Sequence, residues 1–364
     1  MDAPPPPGFD APSPRGSDAL APRDGAAHSD DAAPRPPPAT PRLRGGVFFA
    51  IVLALFVVPG QLAQAASPIL GLAWSEICAL LLPAVVAAAG SNLRPRAPLL
   101  LARRPTAAQA GLAVAVSLAA FGVAVPLAAL WSLALPERLL RTFDVSRIFE
   151  APPLTRYSLA LLAATVAPLC EEAAFRGWIL TALRTRHSVR DAIALSTVLF
   201  AVMHLDPVRL PALLVLGAVF GWLAWRSGSL WPSIIAHATN NALVGAIALS
   251  QAGTAPDVAE RAAPLQALAV LLAAGVLLWG ALSAYRRVTP EPPPLAEALV
   301  PRDPADLDPR YDARRLGPRL QAAIALALAA LVALAAAGLL RHRSTTVRHS
   351  RPPRGAETAG TFPE

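Results

Sequence analysis

The chain has 364 residues, of which 54% are hydrophobic, and its formal net charge at pH 7 is +8. Its apolar residues form repeated runs of about 20 residues, each long enough to cross a bilayer core, so an all-α polytopic membrane protein is predicted. Strand alternation is absent, which argues against a β-barrel. All 32 basic residues are Arg. Most of them lie in tails and short loops without interleaved aromatic residues, a pattern that argues against a nucleic-acid partner.

The N-terminal segment 1–43 is rich in Pro, Ala, Asp and Arg and has almost no large apolar residues. Such a segment cannot bury a core, so a disordered tail is predicted. It does not have the basic region and apolar stretch of a signal peptide. Arg35, Arg42 and Arg44 at its end predict a cytoplasmic N-terminus by the positive-inside rule.

Residues 44–287 are predicted to form a transmembrane helical domain, a bundle of about eight transmembrane helices. The expected spans are 46–66, 68–90, 108–135, 155–182, 191–204, 209–225, 231–249 and 264–284. With the N-terminus inside, the Arg-rich loops between these spans alternate to the cytoplasmic side, as the positive-inside rule requires.

The C-terminal part is predicted to contain a Pro/Arg-rich linker, 288–318, an additional apolar helix, 319–341, and a disordered tail, 342–364. If that helix crossed the membrane, the Arg residues of the tail would lie outside, against the positive-inside rule. There are three alternatives, and the sequence does not choose among them. The helix is interfacial, one of the earlier spans is wrong, or the tail violates the positive-inside rule.

Two adjacent acids, Glu171 and Glu172, lie inside an apolar stretch together with Arg176. A carboxylate in hydrocarbon costs on the order of a few kcal/mol, so such residues are functional candidates. Residues four apart share a helix face, which predicts a structural ion pair between Glu172 and Arg176. Glu171 points about 100° away from Glu172 around the helix and has no such local partner. Glu76, in the second span, is interpreted as a cavity-lining or interhelical residue.

Only two of the six histidines, His204 and His237, are embedded in apolar spans. Helical spacing places Phe200 beneath His204 and Asn241 beside His237. Two imidazoles on different helices, with an unpaired acid and an amide, are difficult to explain as separate packing contacts. The two cysteines, Cys78 and Cys170, also lie in predicted helices and indicate neither a disulfide framework nor a paired-cysteine zinc site.

The motifs Glu171-Glu172-x-x-x-Arg176, Phe200-x-x-x-His204 and His237-x-x-x-Asn241 resemble the CPBP family of intramembrane proteases, the CAAX-protease and bacteriocin-processing (Abi-like) group. The resemblance extends over about 155–250, the protease-like core, with the motifs in the family's order. It implies an intramembrane endopeptidase whose substrate is a membrane-associated or membrane-inserted protein or peptide.

The resemblance also implies a role for each motif residue. Glu171 would be the general base that activates a water molecule, and His204 would hold the same water. His237 and Asn241 would donate hydrogen bonds to the oxyanion. Glu172, Arg176 and Phe200 would be structural support. A zinc ion on Glu171, His204 and His237 is the alternative, although the His-Glu-x-x-His helix of soluble zinc proteases is absent and a metal-free mechanism is favoured.

Other functions remain as alternatives. A non-catalytic immunity or scaffold protein could retain the fold, but a binding role would not require every motif residue. An ion-coupled transporter could use the Glu and His residues as a proton relay, yet no internal repeat is visible. The Arg/Ala-rich composition is typical of bacteria and predicts the bacterial cytoplasmic membrane, where prenylated substrates are not expected. A bacteriocin-type leader, a membrane anchor and a regulator are the candidate substrates.

Overall fold

The computed structural model of this protein describes residues 45–89, 99–101, 103–144, 151–251 and 264–292. Every regular element in these ranges is a helix, which confirms the predicted all-α class. The helices are α1 (Gly45–Ala66), α2 (Pro68–Ala89), α3 (Ala107–Ser132), α4 (Glu137–Thr142), α5 (Pro153–Arg184), α6 (Val189–Met203), α7 (Leu210–Ser227), α8 (Trp231–Gln251) and α9 (Pro264–Val288).

A helix is present at each of the eight predicted spans, with ends that differ from the predictions by a few residues. Among the described residues, 6 helices are long and apolar enough to cross a membrane, and the protein is an integral membrane protein. The two remaining long segments are α6 and α8. The first is too short to span, with 15 residues, and the second contains the polar residues of the third motif.

Several predictions concern residues outside the described ranges. These are the N-terminal tail 1–43, the additional helix 319–341, the C-terminal tail 342–364 and all but the first residues of the linker 288–318. Helix α9 continues to Val288, so the transmembrane domain reaches the first residue of that linker.

Two long helices contain π-helical segments that the hydrophobic pattern did not predict. One is Trp74–Leu81 in α2, and the other is Ala173–Ile179 in α5, directly after the two glutamates. A π-turn closes i→i+5 hydrogen bonds, so it shifts the residues that share a helix face, and such segments are frequent at functional sites. The two segments lie in helices that pack against each other.

The turn between α7 and α8 fixes where α8 begins. Helix α7 ends at Gly228, whose φ of 60° is the left-handed conformation that glycine adopts without strain. The backbone N–H of Leu230 then donates to the carbonyl of Leu100 at 3.1 Å. The indole N–H of Trp231 donates to the carbonyl of Leu101 at 3.3 Å. The segment before α3 thus holds the first turn of α8, which places His237 at a fixed depth in the bundle.

Two groups of buried apolar side chains meet around the site. One lies between α1, α2, α5 and α6 and includes Phe175, Trp178 and Phe200. The other lies between α3, α7 and α9 and includes Phe220 and Leu223. Phe200 and Phe220 come from different groups, and both rings contact His237. The third-motif helix therefore lies where the two halves of the apolar core join.

Candidate active site

Glu172 and Arg176 form an ion pair at the centre of the described bundle. Nη1 of Arg176 donates to Oε1 of Glu172 at 2.9 Å, and both side chains are fully buried. Nη2 of Arg176 donates to the carbonyl of Gly217 on α7 at 3.0 Å. The guanidinium also lies 4.2 Å from the ring centre of Phe200, a cation–π contact. A buried charge needs this many partners, so Arg176 links α5, α6 and α7.

The other side of the Glu172 carboxylate holds α8. Ser233 donates its hydroxyl hydrogen to Oε2 of Glu172. Nδ1 of His237 lies 2.9 Å from Oε1. An ionised carboxylate only accepts hydrogen bonds, so Nδ1 carries a hydrogen. The imidazole is stacked on Phe220, with ring centres 4.8 Å apart and planes at 22°. These contacts fix the ring of His237, and its Nε2 faces Glu171.

Glu171 lies on the more open side of the same cluster. Its Oε2 is 3.9 Å from Nε2 of His204 and 3.9 Å from Nε2 of His237. Among the described residues this oxygen has no hydrogen-bond partner. A separation of 3.9 Å is longer than a hydrogen bond, and one water molecule can bridge it. The Glu171 side chain is 11% exposed, whereas that of Glu172 is 0% exposed.

His204 ends α6 and has a fixed orientation of its own. Its Nδ1 donates to the backbone carbonyl of Phe200 at 2.9 Å. The rings of Phe200 and His204 are 4.7 Å apart and tilted by 64°, so the predicted contact is present but edge-on. The His204 side chain is 23% exposed. In both histidines Nδ1 is occupied by the protein, and Nε2 is directed at the Glu171 carboxylate.

Asn241 contacts the backbone of α5. Its Nδ2 donates to the carbonyl of Ala163 at 2.8 Å, and its Oδ1 accepts from Nδ2 of Asn240 at 3.2 Å. The amide oxygen is thus used within α8, and one hydrogen of the amide nitrogen joins α8 to α5. Its role as an oxyanion donor stays a prediction.

The structure brings six of the seven motif residues into one connected cluster. They are Glu171, Glu172, Arg176, Phe200, His204 and His237. Sequence reasoning missed Ser233, Gly217 and Phe220 as partners. Ser233 lies four residues before His237, so its place on the same helix face was a usable signal. Nothing in the sequence marks the Gly217 carbonyl as a partner of Arg176.

The alternative metal site can be tested on this geometry. Ligand atoms of a tetrahedral zinc ion lie roughly 3.4 Å from one another. Oε2 of Glu171 lies 3.9 Å from Nε2 of His204 and 3.9 Å from Nε2 of His237, and both distances are wider than that. Within the described ranges, no three His, Cys, Asp or Glu residues are grouped so as to hold a metal ion. The residues in this arrangement do not fit zinc.

An all-α integral membrane protein with two carboxylates and two imidazoles in one buried cluster has the chemistry of a membrane-embedded hydrolase. Residues 153–243 match the family model described as type II CAAX prenyl endopeptidase, Rce1-like. The match covers α5 to the middle of α8 and contains every motif residue. The Rce1-like family is a protease family, so the chain is a peptidase, and the predicted resemblance to the CPBP proteases is confirmed. No curated protein and no solved structure gives a match.

Proposed function

We propose that this protein is an intramembrane endopeptidase that hydrolyses a peptide bond at or near the membrane with a water activated by Glu171. The observation that carries the proposal is the convergence of Oε2 of Glu171 with Nε2 of His204 and of His237, each at 3.9 Å. A water between these atoms can donate one hydrogen to the carboxylate and be oriented by an imidazole.

The reaction follows from that arrangement. Glu171 takes a proton from the water, whose oxygen attacks the carbonyl carbon of the scissile bond to form a tetrahedral intermediate. His237, when protonated on both nitrogens, donates from Nε2 to the oxyanion while Nδ1 stays bonded to Glu172. The C–N bond then breaks, and the proton held by Glu171 passes to the leaving nitrogen. Nδ2 of Asn241 carries two hydrogens, of which one is bonded to Ala163, so the second can be donated to the same oxyanion.

Glu172 has two functions in this proposal. Its ion pair with Arg176 supports the helix bundle, as the sequence predicted. Its bond to Nδ1 of His237 also holds the imidazole in one orientation and would stabilise the imidazolium during the reaction. The adjacent acids thus differ in task because Glu172 is saturated with protein partners, whereas Oε2 of Glu171 is left for the water.

The orientation in the membrane is part of the proposal. The helix ends near Gly45, Arg103, Arg184 and Ser227 lie at one end of the bundle, since Arg103 bonds to Ser227 and Gly45 lies against Ile179 and Leu183. Among the described residues, five exposed Arg residues lie at this end, namely Arg104, Arg186, Arg190, Arg286 and Arg287, whereas three, Arg138, Arg141 and Arg209, lie at the other end. By the positive-inside rule this end faces the cytoplasm of a bacterial cell, which agrees with a cytoplasmic N-terminus.

The test uses the purified full-length protein in liposomes with a peptide whose scissile bond lies near the membrane. We expect Glu171→Gln to abolish turnover and Glu137→Gln, an exposed acid at a bundle end, to leave it unchanged. Neither variant should melt below the wild-type temperature. Cleavage at the wild-type rate by Glu171→Gln would refute the mechanism, and solute uptake that depends on Glu171 in the same liposomes would support a transporter instead.

The substrate can be identified by comparing membrane proteomes. Cells with wild-type protein and cells with Glu171→Gln should differ in one or a few membrane proteins that stay uncut in the variant. Identical proteomes, together with a cellular phenotype that survives alanine at Glu171, His204 and His237, would favour the non-catalytic scaffold.

A further inference from the structure

Two asparagines, Asn240 and Asn241, are neighbours on α8, and only the second has a role in the reaction proposed for Glu171. They lie three and four residues after His237 and therefore on its side of the helix. Asn240 is the more buried of the two, since it is 6% exposed whereas Asn241 is half-buried. A buried amide has two donor hydrogens and an acceptor oxygen to satisfy, so the presence of Asn240 needs an explanation.

The two side-chain amides form a short chain of hydrogen bonds that begins at the backbone of α5. The carbonyl of Ala163 can only accept, so the group of Asn241 that lies 2.8 Å from it is Nδ2. Oδ1 of Asn241 is then left to accept from Nδ2 of Asn240, at 3.2 Å. A flip of either amide would place two acceptor oxygens against each other. The orientation of both amides therefore follows from a single backbone carbonyl.

The contacts of Asn240 do little for the packing of the helices. The hydrogen bond that it donates goes to the next residue of the same helix, so this bond joins no two helices. Its Oδ1 is buried and has no hydrogen-bond partner among the residues that the structure describes. An unpartnered buried acceptor costs free energy that an apolar side chain of similar shape would not cost. Packing alone therefore does not account for an asparagine at this position.

We propose that Asn240 is a positioning residue for hydrolysis, which holds the amide of Asn241 in the orientation that donates to the oxyanion. The inference rests on the function proposed for Glu171 and on the oxyanion role proposed for Asn241. The bond to Ala163 alone leaves the Asn241 amide free to rotate about one contact. The second bond, from Asn240, fixes the plane of the amide and the direction of its remaining Nδ2 hydrogen. A donor that is already oriented needs no reorganisation when the oxyanion forms.

The first test is steady-state kinetics of the full-length protein in liposomes. Leucine has nearly the shape of asparagine but cannot donate, so Asn240→Leu should lower kcat about tenfold and keep KM within about twofold of wild type. It should melt close to the wild-type temperature, because it removes one unpartnered acceptor and creates another at Asn241. An unchanged kcat would overturn the proposal. So would a rise in KM alone, which would show that Asn240 contacts the substrate itself.

The matched control is the residue before Asn240. Thr239 is partly buried, and its hydroxyl donates to the carbonyl of Ile235 within α8 at 2.8 Å. Thr239→Val removes this hydroxyl with little change of shape and should leave kcat and KM unchanged. A tenfold fall of kcat in Thr239→Val would show that any loss of a polar group in this turn of α8 lowers the rate, and the proposal would be overturned.

A double-mutant cycle shows whether Asn240 acts through Asn241. Asn241→Ala should lower kcat by about 10²–10³, the usual effect of losing one oxyanion donor. Adding Asn240→Leu to Asn241→Ala should cause no further fall, whereas two independent residues would multiply their effects. A further tenfold fall in the double variant would overturn the proposal. Asn240→Ala serves in the same cycle if the leucine variant does not fold.

A second measurement does not depend on activity. The chain contains only three asparagines, Asn92, Asn240 and Asn241. Solid-state NMR of protein with isotopically labelled asparagine side chains should therefore give three amide signals, and Asn241→Ala identifies the one from Asn241. Asn240→Leu should shift that signal, because Oδ1 of Asn241 loses its donor, and Thr239→Val should leave it in place. A signal that does not move in Asn240→Leu would overturn the proposal.

The outcomes separate this proposal from the endopeptidase proposal. If Glu171→Gln is inactive but Asn240→Leu and Asn241→Ala keep the wild-type kcat, the roles of both asparagines are overturned and hydrolysis by Glu171 stands. If the wild type cleaves nothing, the endopeptidase proposal falls and the role of Asn240 in hydrolysis falls with it. The NMR signals then still decide whether Asn240 is bonded to Asn241.

Discussion

The two sides of the glutamate pair follow opposite physical rules. On the Glu172 side every polar atom of the carboxylate is bonded, to Arg176, Ser233 and His237, and nothing is exposed. On the Glu171 side an oxygen has no partner within the described chain, and the nearest imidazole nitrogens are 3.9 Å away. The first side supplies stability, and the second keeps a reactive group free to act. A substitution on one side can therefore be compared with a substitution on the other.

The largest effect is expected on the Glu172 side. Glu172→Gln removes the negative charge from a fully buried pair and leaves Arg176 uncompensated, which should cost about 3–5 kcal/mol of unfolding free energy. Thermal unfolding in detergent measures this as a marked fall in melting temperature, or as loss of folded protein. Glu171→Gln is the matched control one residue away and should melt at or slightly above the wild-type temperature. Equal melting temperatures for the two variants would contradict the division of roles.

An intermediate effect is expected where α6 and α7 touch. A Cβ at Gly217 would lie 3.0 Å from Cγ2 of Thr197 and 3.2 Å from Cδ1 of Phe200, both on α6. Gly217→Ala should therefore destabilise by about 1–3 kcal/mol. It should also lower kcat/KM, since Phe200 lies between Arg176 and both imidazoles.

The control for that variant is available in the same protein. A Cβ at Gly275 or Gly280 of α9 meets nothing within 4 Å. Alanine at either position should leave activity unchanged and keep or raise the stability, because alanine favours a helix over glycine by up to about 1 kcal/mol. A loss of activity in these controls equal to that of Gly217→Ala would show that the α6–α7 contact is not what matters.

The same contrast explains what the sequence could predict. The Glu172–Arg176 pair and the contact of Phe200 with His204 depend on spacing four within one helix, so they were predicted correctly. The bonds of Glu172 to Ser233 and His237, and of Arg176 to Gly217, join helices far apart in sequence. They depend on how the helices are rotated and how deep each lies. The π-segments of α2 and α5 change that rotation and leave no mark in the hydrophobic pattern.

The sequence also could not predict which partner each site residue would reach in the folded bundle. Helical spacing separated Glu171 from Glu172, whereas the resemblance to the CPBP family implied one task for His237 and Asn241. In the structure His237 is bonded to Glu172, whereas Asn241 is bonded to Ala163 on α5. A motif specifies which residues share a face, and the partner helix decides which of them reach the same centre.

The smallest effect is expected on the Glu171 side, at Leu205, the residue after His204. Leu205 has a φ of 51°, the left-handed conformation that costs a non-glycine residue roughly 1–2 kcal/mol. Its side chain is 46% exposed and contributes little burial. Because glycine also loses more entropy on folding, Leu205→Gly should gain only about 0.5–1 kcal/mol of stability. Chemical or thermal unfolding measures the gain.

Leu100 provides the comparison that decides whether this strain is the cause. It has a similar φ of 56°, yet its side chain is only 5% exposed and lies in the core between α1, α2, α5 and α6. Leu100→Gly relieves the same backbone strain but removes a buried side chain, a change that costs about 2–5 kcal/mol when a leucine is truncated. The two substitutions should therefore have opposite signs. If both substitutions destabilise the protein, contacts of the Leu205 side chain hold the left-handed turn after His204. The Glu171 side of the site would then depend on the core more than the exposure of Leu205 implies.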